Sequence, residues 1–261
     1  MFRFFRKLRQ NFLAERRFSR YLLYAIGEIL LVVIGILIAL QVDAWQKRRE
    51  KAEQEAYYLT RLKEELQSNI EIARELEAFK SFQNENALLV QGFLTNRTPK
   101  EAVDQDFFLA LEHLTWFYKR NFQKDVWEEL KSTGNIDLIS DLELRTRISR
   151  MYNILEFFQG FEKEWETYTM GYRRLLGDAN VFNFVTRLAL THALRPWGAE
   201  GRVEDLPDYD TTITRLRQIE ALPGYLSDII LSSGTASQQQ DMIARGIDSL
   251  LTDIKRTNPS K

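Results

Sequence analysis

The sequence predicts an all-α protein, in which one transmembrane helix precedes an exported multi-helix bundle with long, coiled-coil-like helices. Three observations lead to this fold class. An apolar run of transmembrane length extends from Leu22 to Val42. Proline and glycine are scarce, with 5 and 12 in 261 residues. Apolar side chains recur at helical spacing, and no long stretch alternates polar and apolar side chains as a strand would.

The apolar run is long enough to cross a lipid bilayer. A hydrocarbon core of about 30 Å needs roughly 20 helical residues. A core helix of a soluble protein would carry a polar stripe, which this run lacks between Ile29 and Leu40. The alternative is a cleaved signal peptide, but its apolar region is typically about 7–15 residues long. Residues 21–43 are therefore predicted to form a transmembrane helix.

Charged residues on the two sides of this helix predict its orientation. The basic residues before it are Arg3, Arg6, Lys7, Arg9, Arg16, Arg17 and Arg20. Only Glu15 opposes them, whereas after the helix basic and acidic residues are interleaved. Because excess Lys and Arg stay on the cytoplasmic side, we expect a cytoplasmic N-terminus and an exported C-terminal part. Residues 1–20 are expected to lie on the inner leaflet as a basic amphipathic segment, in preference to a nucleic-acid-binding arm.

The exported part divides into a stalk and a bundle. No proline or glycine occurs between Trp45 and Gly92, so residues 44–98 are predicted to form a helical stalk. Its apolar face consists of Leu59, Leu62, Leu66, Ile70, Ala73 and Leu76. A capping box with proline at N1, residues 98–101, is predicted to start a bundle domain over residues 99–256. Residues 257–261 are expected to be a frayed tail.

Inside the bundle, helical patterns cover residues 104–114 and 123–133, and Gly134 is placed to end the second of them. Another helix is predicted over residues 181–194, followed by a loop over residues 196–209. The last helical region begins near Pro223. Its apolar pattern weakens over residues 232–240, which indicates either a loop or a polar stretch of helix.

The clearest periodicity lies between these elements. Ser140 and Glu143 predict a capping box that opens a helix lasting to Leu176. Its seam at 3-4 spacing consists of Met151, Ile154, Phe158, Phe161, Trp165, Tyr168, Tyr172 and Leu175. The aromatic members, from Phe158 to Tyr172, are expected to fill the core of a multi-helix bundle. The alternative is that they line a ligand pocket.

Four residues of the transmembrane helix are candidates for contact with another membrane helix. Gly27, Gly35 and Ala39 lie on one face, and small residues at this spacing let helix backbones approach closely. Glu28 is an ionisable group inside the membrane, where such groups usually face a partner or a wet cavity. The alternative is that Glu28 reaches the interface near Arg20 or is protonated.

The sequence offers no recognisable catalytic constellation. It contains two histidines, His113 and His192, and no cysteine. Neither histidine has the spacing of a zinc or di-iron motif, and no phosphate loop or nucleophile elbow is present. We therefore expect no catalytic, cofactor-binding or metal-binding residues. The net charge of −1 likewise favours no nucleic-acid partner.

The N-terminal residues resemble a known family. FFRKLRQ at residues 4–10, YLLYAIGEI at 21–29 and VVIGILIALQ at 32–41 are similar to an uncharacterised bacterial family that begins with a near-fixed anchor and carries a domain of unknown function. LKSTG at residues 130–134 is a weaker match, and Asp43 and Ala44 replace the asparagines usual in that family. The resemblance implies a single-pass inner-membrane protein with an exported helical domain, and no activity.

These observations favour a membrane-tethered interaction or scaffold module of the bacterial envelope. The expected partners are the lipid bilayer and either a second copy of the chain or another membrane protein. The alternative function is an extracytoplasmic ligand-binding sensor domain. An enzyme is the least favoured class, because the catalytic motifs are missing.

Overall fold

The structure, a computed structural model, describes residues 16–95, 97, 105–178 and 208–257. Within these ranges every regular element is helical, which confirms the all-α class. The helices are α1 (Arg16–Leu94), α2 (Gln105–His113), α3 (Asp125–Ser132), a 3₁₀ helix (Asn135–Leu138), α4 (Leu142–Gly160), α5 (Glu162–Asp178), α6 (Tyr209–Arg217) and α7 (Leu222–Thr257).

Several sequence predictions lie outside the described residues. They concern residues 1–15 of the basic segment, the capping box at 98–101, the helix at 181–194 with His192, residues 196–207 of the loop, and residues 258–261 of the tail.

The chain forms two compact units, Met1–Tyr57 and Tyr58–Lys261. In the first unit, the described residues belong to α1. The most apolar stretch of α1 has a mean hydropathy of 2.7, and none of it is buried. Among the described residues, α1 is the one helix long and apolar enough to cross a membrane.

The second unit is built from four helical rods, each of which runs antiparallel to the one before it. The first is α1 from Tyr58 onward, and its predicted apolar face, from Leu59 to Leu76, is buried as expected. The residues of this face therefore belong to the bundle, although the sequence analysis placed all of residues 44–98 in a stalk. The second rod contains α2 and α3, the third contains α4 and α5, and the fourth is α7.

Contacts along α1 establish the rod directions. In the second rod, Phe107 stacks edge-on against Phe93, whereas Glu129 pairs with Arg61, so this rod runs antiparallel to α1. The third rod runs parallel to α1, because its Tyr152 bonds Glu65 and its Trp165 faces Lys80. The fourth rod is antiparallel to α1, because its Ile230 bonds Asn84 and its Ser237 bonds Ser81.

The rods enclose two separate hydrophobic cores. The first core combines Leu59–Leu76 of α1 with Trp127 of α3, Ile148 of α4 and Ile247 of α7, among others. The second core combines Val90 and Phe93 of α1 with members of α2, α5, α6 and α7. These members are Phe107, Phe108, Leu111, Tyr172, Leu176, Ile213, Leu216, Leu222, Leu226 and Ile229.

A polar belt separates the two cores and explains the weak pattern near the C-terminus. Ser237 shares a hydrogen bond of 2.8 Å with Ser81, and Asn84 donates to the Ile230 carbonyl at 2.7 Å. Lys80 and Gln240 are buried at the same region of the rods. Because polar groups of α1 partner those of α7, α7 continues as a helix through residues 232–240. The polar-helix interpretation is therefore confirmed, and the loop is wrong.

The predicted helix from Ser140 to Leu176 needs two corrections. It is interrupted, since α4 ends at Gly160 and α5 begins at Glu162. Glycine is unfavourable inside a helix because its backbone is flexible, so the helix is easily interrupted at Gly160. The N-cap of α4 is Asp141, whose carboxylate accepts from the Glu143 N–H at 2.9 Å. The predicted cap at Ser140 is therefore wrong. Gly134 has φ +71° after α3, as predicted for a helix end.

Candidate functional site

The predicted membrane contacts all lie on the exposed surface of α1. Gly27, Glu28, Gly35 and Ala39 are exposed, and a Cβ at either glycine would meet no atom within 4 Å. A shallow groove beside Gly27 is lined by Leu23, Tyr24, Glu28 and Leu31. The groove is open, so a side chain from another helix has room to enter it.

The five seam aromatics are divided between the two cores. Phe158 packs against the first core, whereas Tyr168 packs against the second and Tyr172 is fully buried there. Phe161 is 37% exposed at the break between α4 and α5. The Trp165 ring centroid lies 4.6 Å from the Lys80 ammonium, at the polar belt. These residues therefore do not share one core.

A row of polar side chains on α1, which we call the polar seam, faces the second rod. It consists of Glu65, Asn69, Glu75, Gln83 and Asn86. At 3.6 residues per turn these positions lie on one side of α1. Each contacts the stretch from His113 to Val126, most of which connects α2 to α3 without regular structure.

Glu65 caps the helix that follows this stretch. The Val126 N–H donates to its carboxylate at 2.8 Å, and α3 has no cap from its own Lys124. The Tyr152 hydroxyl donates to the other oxygen of Glu65. Burial and the negative charge of Glu65 raise the pKa of Tyr152, which keeps this phenol protonated. A side chain 61 residues earlier in the chain thus provides a helix cap.

The other seam residues hold the connecting backbone. Asn69 donates to the Gln123 carbonyl at 2.8 Å and accepts from the Gln123 N–H at 2.7 Å. Gln83 donates to the Trp116 carbonyl at 3.0 Å. Because buried backbone groups need partners, these side chains let a non-helical segment lie against α1.

Side-chain contacts complete the seam at its middle and its end. Glu75 accepts from the Tyr118 hydroxyl at 2.7 Å and pairs with Arg120 at 3.1 Å. Asn86 Oδ1 lies 3.3 Å from His113 Nδ1. His113 therefore has a structural contact, in agreement with the absence of a recognisable motif around it.

Glu112 lies beside the end of the seam and is the most unusual group of the bundle. Its side chain is fully buried, and among the described residues neither carboxylate oxygen has a partner in hydrogen-bond geometry. Burial raises its pKa from 4.5 to about 7, and the Trp116 side chain opposes part of this shift. Glu112 can therefore gain or release a proton near neutral pH.

Sequence reasoning missed both the seam and Glu112. Glu65 and Asn69 lie beside Leu62, Leu66 and Ile70, and this intrusion of polar residues into an apolar face was the available signal. Within the described ranges, no group of three or more His, Asp or Glu side chains is placed to hold a metal ion.

Comparisons with protein-family models, with curated proteins and with solved structures found no match to this chain.

Proposed function

We propose that this chain is a membrane-anchored helical interaction module of the bacterial envelope, with a cytoplasmic N-terminus and an exported bundle. One observation carries the proposal: the apolar part of α1 is long enough to span a bilayer and is wholly exposed. Exposed apolar surface of this extent needs a cover, and lipid is the cover that a run of this length fits.

Aromatic residues near both ends of the apolar run support a membrane location. Tyr21 and Tyr24 lie at its start and Trp45 at its end. Tyrosine and tryptophan favour the two membrane interfaces. Tyr21 and Trp45 are separated by about 36 Å of helix, which matches a hydrocarbon core plus part of each interface. Beyond Trp45, surface ion pairs such as Arg49 with Glu53 at 2.9 Å indicate an aqueous environment.

Charge supports the direction, and the resemblance supports the compartment. The basic excess before the helix favours a cytoplasmic N-terminus. The similarity of residues 4–41 to anchors of a bacterial membrane family favours the inner membrane.

The absence of cysteine gives a direct test of topology. Ser19→Cys lies before the span and Ser132→Cys lies in the exposed part of the bundle. A membrane-impermeant maleimide added to intact spheroplasts should label only Ser132→Cys, and lysis should make Ser19→Cys reactive. Labelling of Ser19→Cys alone before lysis would invert the proposed orientation, and labelling of both would show that residues 21–43 do not span.

The interaction part of the proposal concerns the face with Gly27, Glu28, Gly35 and Ala39. We propose that it contacts a second membrane helix, from another copy of this chain or from a different protein. Placing a carboxylate inside the bilayer costs a few kcal/mol, which a hydrogen bond to a neighbouring helix would partly offset. The groove beside Gly27 leaves space for that neighbour.

Substitutions on this face test the contact. Crosslinking in native membranes should trap a complex, and Gly35→Leu and Glu28→Gln should each lower its yield. Val33→Leu is the matched control because it lies on the opposite side of α1. Equal yields from Gly35→Leu, Glu28→Gln and the native chain would exclude this face as the contact.

A further inference from the structure

The surroundings of the buried Glu112 side chain favour the neutral carboxylic acid over the charged carboxylate. From the part of the chain that the structure describes, its carboxylate oxygens receive no hydrogen bond, although its backbone carbonyl accepts from the Thr115 hydroxyl at 2.7 Å. The neighbouring Leu111 and Leu114 are fully buried in the second core. A charged carboxylate without donors in such a place is costly, whereas a protonated one is tolerated.

Its position on α2 adds to this preference. Glu112 is the penultimate residue of α2, which ends at His113. The C-terminal end of a helix carries the partial negative charge of the helix dipole, which disfavours a nearby anion. The connection to α3 then begins, and its Trp116 carbonyl accepts a hydrogen bond from Gln83 of α1.

Among the described residues, four titratable groups on or near α2 have partners of their own. His113, on α2 itself, contacts Asn86, and Lys80 of α1 bonds Gln83 at 3.2 Å. Tyr172 of α5 donates to the Leu111 carbonyl at 3.4 Å, and Tyr209 of α6 packs edge-on against Phe107. From α7 the second core receives Leu222, Leu226 and Ile229.

We propose that Glu112 is a proton-controlled latch: the bundle packs around its neutral carboxylic acid, and loss of the proton loosens the end of α2 and residues 114–124. Ionisation favours any arrangement in which water reaches the carboxylate. We expect the change in the segment that follows α2, because it has no regular structure and side-chain hydrogen bonds hold it to α1.

The latch itself is independent of the membrane assignment. A response of the latch to the pH outside the cytoplasm, in contrast, rests on the proposed export of the bundle. The two can fail separately, because the latch is tested in purified protein and the export in spheroplasts.

Hydrogen exchange on the full chain in detergent micelles tests the latch. Between pH 6 and pH 8 the ratio of ionised to neutral acid changes by about 100-fold. After correction for intrinsic exchange chemistry, peptides covering residues 107–120 should exchange at least about tenfold faster at pH 8 than at pH 6. Peptides covering residues 62–76 of the first core should not change.

Variants assign the effect to one group. Glu112→Gln mimics the neutral acid and should abolish the pH step, and Glu112→Met serves the same purpose if the amide variant folds poorly. Glu85→Gln, which changes an exposed carboxylate of α1, and His113→Gln should keep the step. A native chain without a step, a step that persists in Glu112→Gln or Glu112→Met, or its loss in His113→Gln would overturn the proposal.

Discussion

The two cores each contain a buried glutamate, and the two glutamates have opposite surroundings. Glu65, beside the first core, is 6% exposed and receives hydrogen bonds from the Val126 N–H and the Tyr152 hydroxyl. Glu112, in the second core, is 0% exposed and its oxygens receive none. Equal burial therefore has different consequences: donors stabilise the first charge, and their absence destabilises the second.

Helix ends explain the contrast. Glu65 points at the N-terminus of α3, where free N–H groups and the positive end of the helix dipole favour an anion. Glu112 lies in the last turn of α2, where the negative end of the helix dipole disfavours one. The first core thus holds a carboxylate that has hydrogen-bond donors, and the second holds one that is adapted to the neutral form.

Removing the satisfied carboxylate should have the largest effect. Glu65→Ala leaves the Val126 N–H and the Tyr152 hydroxyl buried without an acceptor, so we expect about 3 kcal/mol less stability. Urea unfolding of the full chain in mild detergent at pH 7 measures it. Glu64→Ala, at an exposed neighbouring position, is the control and should change stability by less than about 0.5 kcal/mol. Equal effects would mean that the cap carries no energy.

Neutralising the unsatisfied carboxylate should stabilise the bundle, in a pH-dependent way. Because the pKa of Glu112 is raised from 4.5 to about 7, the native chain loses stability as pH rises through this window. Glu112→Gln should therefore match the native chain near pH 4.5 and exceed it by about 2 kcal/mol at pH 8. Unfolding curves at pH 4.5, 6, 7 and 8 would show the divergence, and parallel curves would refute it.

Substitutions at two glycines, Gly171 and Gly246, would show how tightly the regions around the cores are packed. A Cβ at Gly171 would overlap the Tyr225 ring, whereas one at Gly246 would lie 2.8 Å from the terminal methyl of Met151. An aromatic ring can yield less than the end of a methionine, so Gly171→Ala should cost about 2 kcal/mol. Gly246→Ala should cost less than about 1 kcal/mol, since replacing a glycine inside a helix by alanine also stabilises the helix. Thermal unfolding ranks the two, and the reverse order would contradict the packing.

The polar belt between the cores should give the smallest effect. Gln240 is buried, and its side-chain oxygen has no hydrogen-bond partner. Gln240→Leu should therefore stabilise the bundle by about 1 kcal/mol, because an unpaired buried acceptor is removed. Gln238→Leu, at an exposed position of α7, is the control. A loss of stability in Gln240→Leu would show that the belt needs this amide.

Local signals predicted the parts of the fold that depend on nearby residues. The burial of Leu59, Leu62 and Leu66 followed from 3-4 spacing, and the left-handed Gly134 followed from its place after a helix. The interruption at Phe161 and the cap at Asp141 were missed. The interruption follows Gly160, whose low helical propensity was a local signal, whereas Ser140 and Asp141 are both good N-cap residues and contacts decide between them.

The candidate site shows the limit of sequence reasoning more clearly. Glu65 and Glu112 are the same residue type, and neither has a motif around it. Their roles differ because one meets Val126 and Tyr152, which are 61 and 87 residues away. The other has only the nearby Trp116 side chain, and its oxygens have no partner in hydrogen-bond geometry among the described residues.

Composition and periodicity by themselves determined that this chain is helical and carries one apolar helix of transmembrane length, because both properties depend on residues within a few turns of each other. Tertiary structure alone decided that the bundle has two cores with a polar belt between them, that α1 supports the connection from α2 to α3, and which buried carboxylate has donors. These features depend on groups that are distant in the chain, and their hydrogen bonds exist only once the rods have packed together.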